Sequence, residues 1–173
     1  YPIRLGDLMV MDLDGKALPE TCIWSNQPDM RLQDLVCVGL GADRFYHRPI
    51  FQNGWVSKTE SWRCVLAIDP AGRGKDELAW AVLAELNGNL FLLESGGSTL
   101  GYADEVLQYL SEIAKKWDVN YVVAESNMGD GMFTALLKPH LTRTHPCTIE
   151  EVRHNIRKEE RLCDTLGPLI QQH

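Results

Sequence analysis

The sequence predicts an α/β fold in which a mixed β-sheet carries helices on its faces. The first observation is a set of three apolar runs of strand length, which are WRCVLAID, LAWAVLAEL and NLFLLES, separated by Gly, Pro and Asn. Such runs with turn residues between them indicate an antiparallel meander. The second observation is that helical and strand-like apolar spacing then alternate along the chain, which favours crossover connections.

The links between the three runs are short. AGRGKDE joins the first run to the second and is short enough for a hairpin, and LNGN joins the second to the third. The Asn-Gly pair in LNGN favours backbone with positive φ, as a tight hairpin turn requires. The three strands are therefore expected to be neighbours.

The second half of the chain predicts alternating helices and strands. In GYADEVLQYLSEIAKKWDV, apolar residues recur at helical spacing, which indicates an amphipathic helix packed on a sheet. NYVVAES follows as a buried strand, and MFTALLKPHL as a helix that ends or bends near Pro139. PCTIEEVRH is a further strand, and KEERLCDTLGPLIQQH a helix with a break at Gly167 and Pro168.

Length and composition favour one domain with an extension. The chain has 173 residues, of which 45% are hydrophobic, enough for one ordinary core. Residues 1–60 are rich in Pro and Gly and are interpreted as an irregular linking or flanking region. Residues 61–173 are expected to form the folded domain.

Composition also excludes several classes of protein. No stretch approaches the roughly 18 apolar residues of a membrane span, and a cytosolic protein is expected. The five cysteines form no CxxC pair or zinc-like cluster, so reduced thiols are expected. The net charge of -7 argues against a domain that coats nucleic acid through bulk positive charge, but suits an enzyme that holds cations with carboxylates.

Two carboxylates end two predicted central strands. Asp69 follows the apolar run VLAI, and Glu125 follows YVVA. If the strands are neighbours, the two carboxylates lie side by side and repel each other unless a cation lies between them. Such a pair fits two-metal phosphodiester hydrolysis with Mg²⁺ or Mn²⁺. The alternative, that both are ordinary turn residues at strand ends, stays open.

The loop after Asp69 offers further polar residues. Asp76 is a candidate additional metal ligand, although a turn-stabilising role is the alternative. The string AGRGK departs from a phosphate-binding loop, since Asp69 stands where that motif needs Gly and Asp76 where it needs Ser or Thr. Arg73 and Lys75 are instead candidates for contacts with nucleic-acid phosphates, with ordinary exposed hairpin residues as the alternative.

A less acidic segment lies between Lys138 and Arg161. It holds six Lys and Arg residues and three His against four Glu. We interpret it as a candidate DNA-facing strip, with a solvated helix of mixed charge as the alternative. Its expected phosphate contacts are Arg153, Arg157, Lys158 and Arg161.

Four strings carry a family resemblance. At DPAGRGKDE, LFLLESGG, VVAESNMGDGMF and KEERLCDTLGPLIQQH, the sequence resembles the nuclease domain of terminase large subunits from short-tailed podoviruses, also called DNA maturase B. The resemblance runs from about Trp62 to the last residue, and YPIRLGDLMVMDLD resembles that family's link between ATPase and nuclease. It implies an RNase H-like fold, whose element order the predicted strands and helices share.

The resemblance also implies an activity. The family's motor packages DNA with an ATPase half, and its nuclease half uses Mg²⁺ or Mn²⁺ to cut concatemeric double-stranded DNA. Asp69 and Glu125 match the first and second acids by motif position. The implied partners are double-stranded DNA, the portal protein, the small terminase subunit and the ATPase domain of the same polypeptide, in the host cell cytoplasm and without a membrane.

The family's third acid comes from a His-Asp-Asp segment that this sequence lacks. A fold that is incomplete at its C-terminus is therefore expected, with weak or absent activity of the fragment. Asp164, in LCDTL, is a possible substitute ligand, with a structural role in a helix as the alternative.

Two other functions remain as alternatives. The segment could be a catalytically silent docking module for the portal or the small subunit. It could also belong to another RNase H-like enzyme, such as a resolvase or transposase, which keeps the metal chemistry and changes the substrate.

Overall fold

The computed structural model describes most of the chain. The described residues are 8–11, 13, 16–25, 27–30, 47–57, 62–70, 76–126, 131–153 and 156–172. The chain divides into two compact units, one made of Tyr1–Ser57 with Asn155–His173 and the other of Lys58–His154.

The two units contain seven strands and three α-helices among the described residues. In chain order these are β1 (Ala17–Trp24), β2 (Pro49–Ser57), β3 (Arg63–Asp69), β4 (Leu78–Leu86), β5 (Asn89–Ser98), α1 (Asp104–Lys116), β6 (Tyr121–Glu125), α2 (Met132–Thr144), β7 (Thr148–Val152) and α3 (Lys158–Gln172). A short 3-10 turn spans Pro28–Met30.

A five-stranded mixed sheet forms the second unit. Its strand order is β5-β4-β3-β6-β7. β3, β4 and β5 pair antiparallel as the predicted meander, and β3, β6 and β7 pair parallel through the crossovers made by α1 and α2. Asn87 and Gly88, in the turn between β4 and β5, have φ of 53° and 81°, as the Asn-Gly signal predicts. The predicted mixed sheet and element order are confirmed.

One face of this sheet is covered by α1 and α2. The apolar stripe of α1 contributes Val106, Leu107, Leu110 and Ile113, all buried as the helical spacing predicts. They meet alternate residues of the central strands, such as Leu66 and Val122, which are fully buried. Burying a side chain of this size stabilises the fold by roughly 1.5–3 kcal/mol relative to leaving it exposed.

Two helices run further than their prolines predict. α2 continues through Pro139 to Thr144, so the prediction that it ends or bends near Pro139 is wrong about its end. Leu137 and Leu141, on either side of the proline, are buried in the core, and this packing outweighs the backbone hydrogen bond that proline removes. α3 likewise continues through Pro168 to Gln172, so the predicted break there is wrong as well.

The first unit contains an antiparallel pair of strands, β1 and β2, with Leu18 opposite Val56 and Cys22 opposite Gln52. The prediction that residues 1–60 are irregular is therefore wrong for these strands. Pro19 and Pro49 argue against strands locally, yet proline is tolerated in strands that lie at a sheet edge. Both strands are edge strands in this two-stranded sheet.

The described cysteines are reduced thiols, namely Cys22, Cys64, Cys147 and Cys163. Burial raises the pKa of Cys22 and of Cys147, which keeps both protonated near neutral pH. Cys37 lies outside the described residues.

None of the helices in the described parts of the chain combines the length and the apolar character that crossing a membrane demands.

Candidate functional site

The predicted acidic pair lies at the carboxyl ends of two neighbouring strands. β3 ends at Asp69 and β6 ends at Glu125. The two strands pair in parallel, and their last paired positions are Ile68 and Ala124. Asp69 and Glu125 are the next residue on each strand, so they stand level on strands about 4.8 Å apart.

Both acidic side chains belong to the same face of the sheet. Side chains alternate along a strand, and the buried positions Ile68 and Ala124 face the helices. Asp69 and Glu125 therefore project toward the other face, where both are half-buried. The two carboxylates thus extend toward the same face from level positions on adjacent strands, as two ligands of one divalent cation would.

Asn120 ties the amino ends of the same strands together. Its side-chain Oδ1 accepts a hydrogen bond from the Cys64 backbone N–H at 2.8 Å, and its own N–H donates to the Cys64 carbonyl at 2.9 Å. The Thr148 N–H donates to the Asn120 carbonyl at 3.3 Å, so Asn120 also bonds to the start of β7. Cys64 and Asn120 stand the same distance along the chain from Asp69 and Glu125. This bridge between the two strands therefore stabilises the register that sets the acids level.

The end of β7 completes this edge of the sheet. Val152 pairs with Glu125, and the Ser126 N–H donates to the Val152 carbonyl at 2.9 Å, so the pairing continues past the last strand residue. Arg153 Nε donates to Ser126 Oγ at 3.3 Å. A cationic side chain therefore contacts the residue that directly follows the second acid.

Glu151 contacts the start of α2. Its carboxylate accepts a hydrogen bond from the Thr134 hydroxyl, which also lies 2.8 Å from the Gly131 carbonyl oxygen. Gly131 has φ of 82°, and a Cβ there would lie 3.0 Å from a Glu151 oxygen. A negative charge at a helix N-terminus is favourable. Glu151 therefore links the end of β7 to the start of α2.

The other predicted ligands are not brought into a cluster. Asp76 is exposed just before β4. Asp164 is exposed on α3, in the first unit. Over the described ranges, no three His, Cys, Asp or Glu side chains are grouped closely enough to hold a metal ion.

The predicted phosphate contacts are spread over both units. Arg73 and Lys75 lie outside the described residues. Arg153 belongs to the second unit, at the edge described above, whereas Arg157 and Arg161 belong to the first. Arg157 is exposed before α3, Lys158 begins that helix, and Arg161 is half-buried in its first turn.

Three residues of this region were not identified from the sequence. Asn120, Ser126 and Glu151 act through hydrogen bonds to other segments, and only Asn120 carried a local signal, as a polar residue directly before an apolar strand. The pairing of strands that are distant in sequence decides what each one contacts, and spacing along the chain does not reveal it.

Comparison with known proteins identifies relatives by sequence. The family described as "Terminase Bacteriophage T7, Ribonuclease H-like domain" matches residues 68–173. The terminase large subunit of Enterobacteria phage T3 is 41% identical over 175 residues, which cover 100% of this chain and 29% of that protein. This chain therefore spans less than a third of the relative's length.

Partial matches among solved structures include two viral terminase nuclease domains and a viral resolvase. The human cytomegalovirus terminase nuclease domain, Mn soaked and inhibitor bound, matches with a TM-score of 0.47 and 8% identity, covering 64% of this chain and 60% of that one. The nuclease domain of the large terminase subunit gp2 of bacterial virus Sf6 matches with a TM-score of 0.39 and 16% identity, covering 58% of this chain and 42% of that one. The fowlpox virus Holliday junction resolvase matches with a TM-score of 0.42 and 11% identity, covering 63% of this chain and 74% of that one.

Proposed function

This chain belongs to the family of RNase H-like domains of T7-type phage terminases, and from that premise we propose that it is a metal-dependent endonuclease module of a DNA-packaging subunit. Its substrate is concatemeric double-stranded DNA, which it cuts by hydrolysis of phosphodiester bonds. The module acts within a larger large subunit, in line with the 29% of the phage T3 relative that it spans.

The observation that supports this proposal is the level placement of Asp69 and Glu125 on one face of the sheet. Carboxylate oxygens are the ligands that Mg²⁺ and Mn²⁺ prefer, and both strands are anchored by buried residues, which holds the oxygens in place. When bound, two such ions supply an activated water and stabilise the departing oxygen of the phosphodiester.

Further ligands and DNA contacts extend the proposal beyond the acidic pair. Asp76, which belongs to the same unit as the acidic pair, is the candidate for completing the coordination of the ions, whereas Asp164 belongs to the other unit. The proposed phosphate contacts come from six basic residues, whose positive charge would attract DNA phosphates despite the chain's net charge of -7. These residues are Arg73, Lys75, Arg153, Arg157, Lys158 and Arg161.

Family membership also supports the proposed partners. We place the module in the host cell cytoplasm, working with the ATPase domain of its own polypeptide, the small terminase subunit and the portal protein. Each partner is an expectation for a packaging subunit of this family, and each is testable by copurification with the complete large subunit.

Cleavage by variants tests the proposed activity. In the complete large subunit, Asp69→Ala removes an oxygen ligand, so Mn²⁺-dependent plasmid cleavage is expected to be lost while ATP hydrolysis continues. Glu125→Gln is expected to behave in the same way. Glu85→Gln is the matched control, because Glu85 pairs with Arg63 at the opposite end of the same sheet. A cleavage-proficient Asp69→Ala protein would overturn the proposal and favour the docking role.

A further inference from the structure

Ser126 occupies an unusual position for a small polar residue. It directly follows Glu125 in the chain, and only 7% of its surface is exposed. Its backbone N–H bonds to the Val152 carbonyl, which aligns it with the end of β7. The hydroxyl is therefore buried at the edge of the sheet where the acidic pair lies.

The hydroxyl has two partners that both belong to the end of β7. Ser126 Oγ accepts from Arg153 Nε at 3.3 Å and donates to the Val152 carbonyl oxygen at 3.4 Å. A serine hydroxyl has one hydrogen to donate and lone pairs to accept, so it can make both contacts at once. Ser126 therefore connects a fixed backbone oxygen to a mobile, charged side chain.

This connection restricts the orientation of the Arg153 guanidinium. An arginine side chain has roughly 2 kcal/mol of rotamer entropy, part of which is lost when the side chain binds a phosphate. Holding Nε in advance reduces that loss and directs the two terminal nitrogens, which form the fork that binds phosphate oxygens in pairs. The Arg153 main chain is itself held, because β7 pairs with β6 up to Val152.

A second set of contacts keeps the same edge in place. Glu151, two residues before Arg153, accepts a hydrogen bond from the Thr134 hydroxyl and lies against Gly131 at the start of α2. Three consecutive residues of β7 and its end, Glu151 to Arg153, therefore contact the chain on both sides of residues 127–130. Ser126 and Arg153 thus belong to two segments that are each held by other hydrogen bonds, Ser126 by Val152 and the end of β7 by Thr134.

We propose that Ser126 is a positioning residue that orients the Arg153 guanidinium to bind a backbone phosphate of DNA beside the acidic pair. The inference rests on the proposed nuclease function, and it assigns to Ser126 a role in substrate binding. The Ser126 side chain itself touches neither the metal ions nor the DNA.

A double-mutant cycle tests this role in the complete large subunit. Arg153→Ala is expected to raise the KM for Mn²⁺-dependent cleavage of linear double-stranded DNA about tenfold, the effect of losing about 1.4 kcal/mol of binding. Ser126→Ala is expected to raise the KM roughly threefold with kcat unchanged, as expected for partial loss of one charged hydrogen bond. The double variant should match Arg153→Ala alone, because Ser126 acts only through Arg153.

Companion variants separate positioning from folding. Ser126→Thr keeps the hydroxyl and should retain a KM close to that of the wild type, whereas Ser126→Cys keeps the side-chain size with a weaker acceptor and should resemble Ser126→Ala. Arg143→Ala and Ser111→Ala are the matched controls, because Arg143 bonds to Gln108 and Ser111 bonds to Thr144, both between α1 and α2. Neither control should change the KM.

The outcomes distinguish this inference from the proposed function. A wild-type KM in both Ser126→Ala and Ser126→Cys, or KM increases that multiply in the double variant, would overturn the role of Ser126 while the nuclease proposal stands. Cleavage by Asp69→Ala would overturn the nuclease proposal, whatever the Ser126 variants do.

Discussion

The helix-covered face of the sheet and the carboxyl edge of its central strands differ in the residues that they carry. Along the covered face, Leu66 and Ile68 of β3 alternate with residues on the other side and are buried against α1 and α2. At the edge, the same strand ends in Asp69, and its neighbour ends in Glu125, which Ser126 follows. Packing explains the apolar residues, but it gives no reason for two adjacent acids, and this difference supports our proposal that the edge is the catalytic site.

The largest effect on stability is expected on the covered face. Leu66 is fully buried in the core, so Leu66→Ala should destabilise the protein by about 2–5 kcal/mol through lost burial and a cavity. Urea unfolding followed by circular dichroism measures the change. Val65→Ala is the matched control on the half-buried opposite face, and its cost should be clearly smaller. Equal costs would remove the distinction between the two faces.

A second effect concerns close packing at the edge strand β5. Gly96 lies against the Trp80 ring, which a Cβ at that position would overlap, and Trp80 also packs edge-on against Tyr109 at 5.7 Å. Gly96→Ala should therefore cost about 1–3 kcal/mol in the free energy of unfolding. Adding Trp80→Leu should make the two costs less than additive in urea unfolding, because the smaller side chain leaves room for the methyl group. Full additivity would argue against the contact.

A smaller effect is expected at the bridge between the amino ends of β3 and β6. Asn120→Ala removes the hydrogen bond from Asn120 Oδ1 to the Cys64 N–H, which should cost about 1 kcal/mol. Because this bridge supports the register that sets Asp69 and Glu125 level, Mn²⁺-dependent cleavage should fall more than stability alone explains. The measurement is cleavage rate against fraction folded, with Thr142→Val, a change at an exposed position of α2, as control.

The smallest effect depends on pH and lies on the covered side. Burial raises the pKa of Glu94, but hydrogen bonds from Lys116 and Trp117 and the Lys116 charge outweigh it, so the folded pKa lies below its ordinary value of 4.5. Because the pKa is lower in the folded state, the ionised Glu94 stabilises the protein at pH values above about 4.5, and this stabilisation is lost as the pH falls. The stability difference between wild type and Glu94→Gln should therefore shrink with acidification, as urea midpoints across pH would show. A difference that grows with acidification would contradict the lowered pKa.

The sequence predicts the elements that are buried in a periodic pattern better than it predicts where they begin and end. The strands of the five-stranded sheet and α1 were predicted because burial imposes a period on their residues, as Leu66, Val106 and Leu110 show. The acidic pair was predicted because each acid ends an apolar run. The prolines in α2 and β1 led to wrong bounds, since packing and edge position override a local preference.

The remaining features depend on contacts that spacing cannot reveal. β1 and β2 pair across a long intervening segment, and Ser126 meets Arg153 only because β6 and β7 are neighbours. Neither relation leaves a periodic signal in the residues concerned. Polar networks of this kind become visible once strand order is known.

The central claim is that Asp69 and Glu125 share a divalent ion, and a crystal of the protein grown with MnCl₂ tests it most directly. We expect an anomalous difference peak between the two side chains, with carboxylate oxygens of both at about 2.1 Å, and its loss in Asp69→Asn crystals. Ordered carboxylates with no peak at saturating Mn²⁺, under conditions where the same preparation cleaves DNA, would contradict the claim.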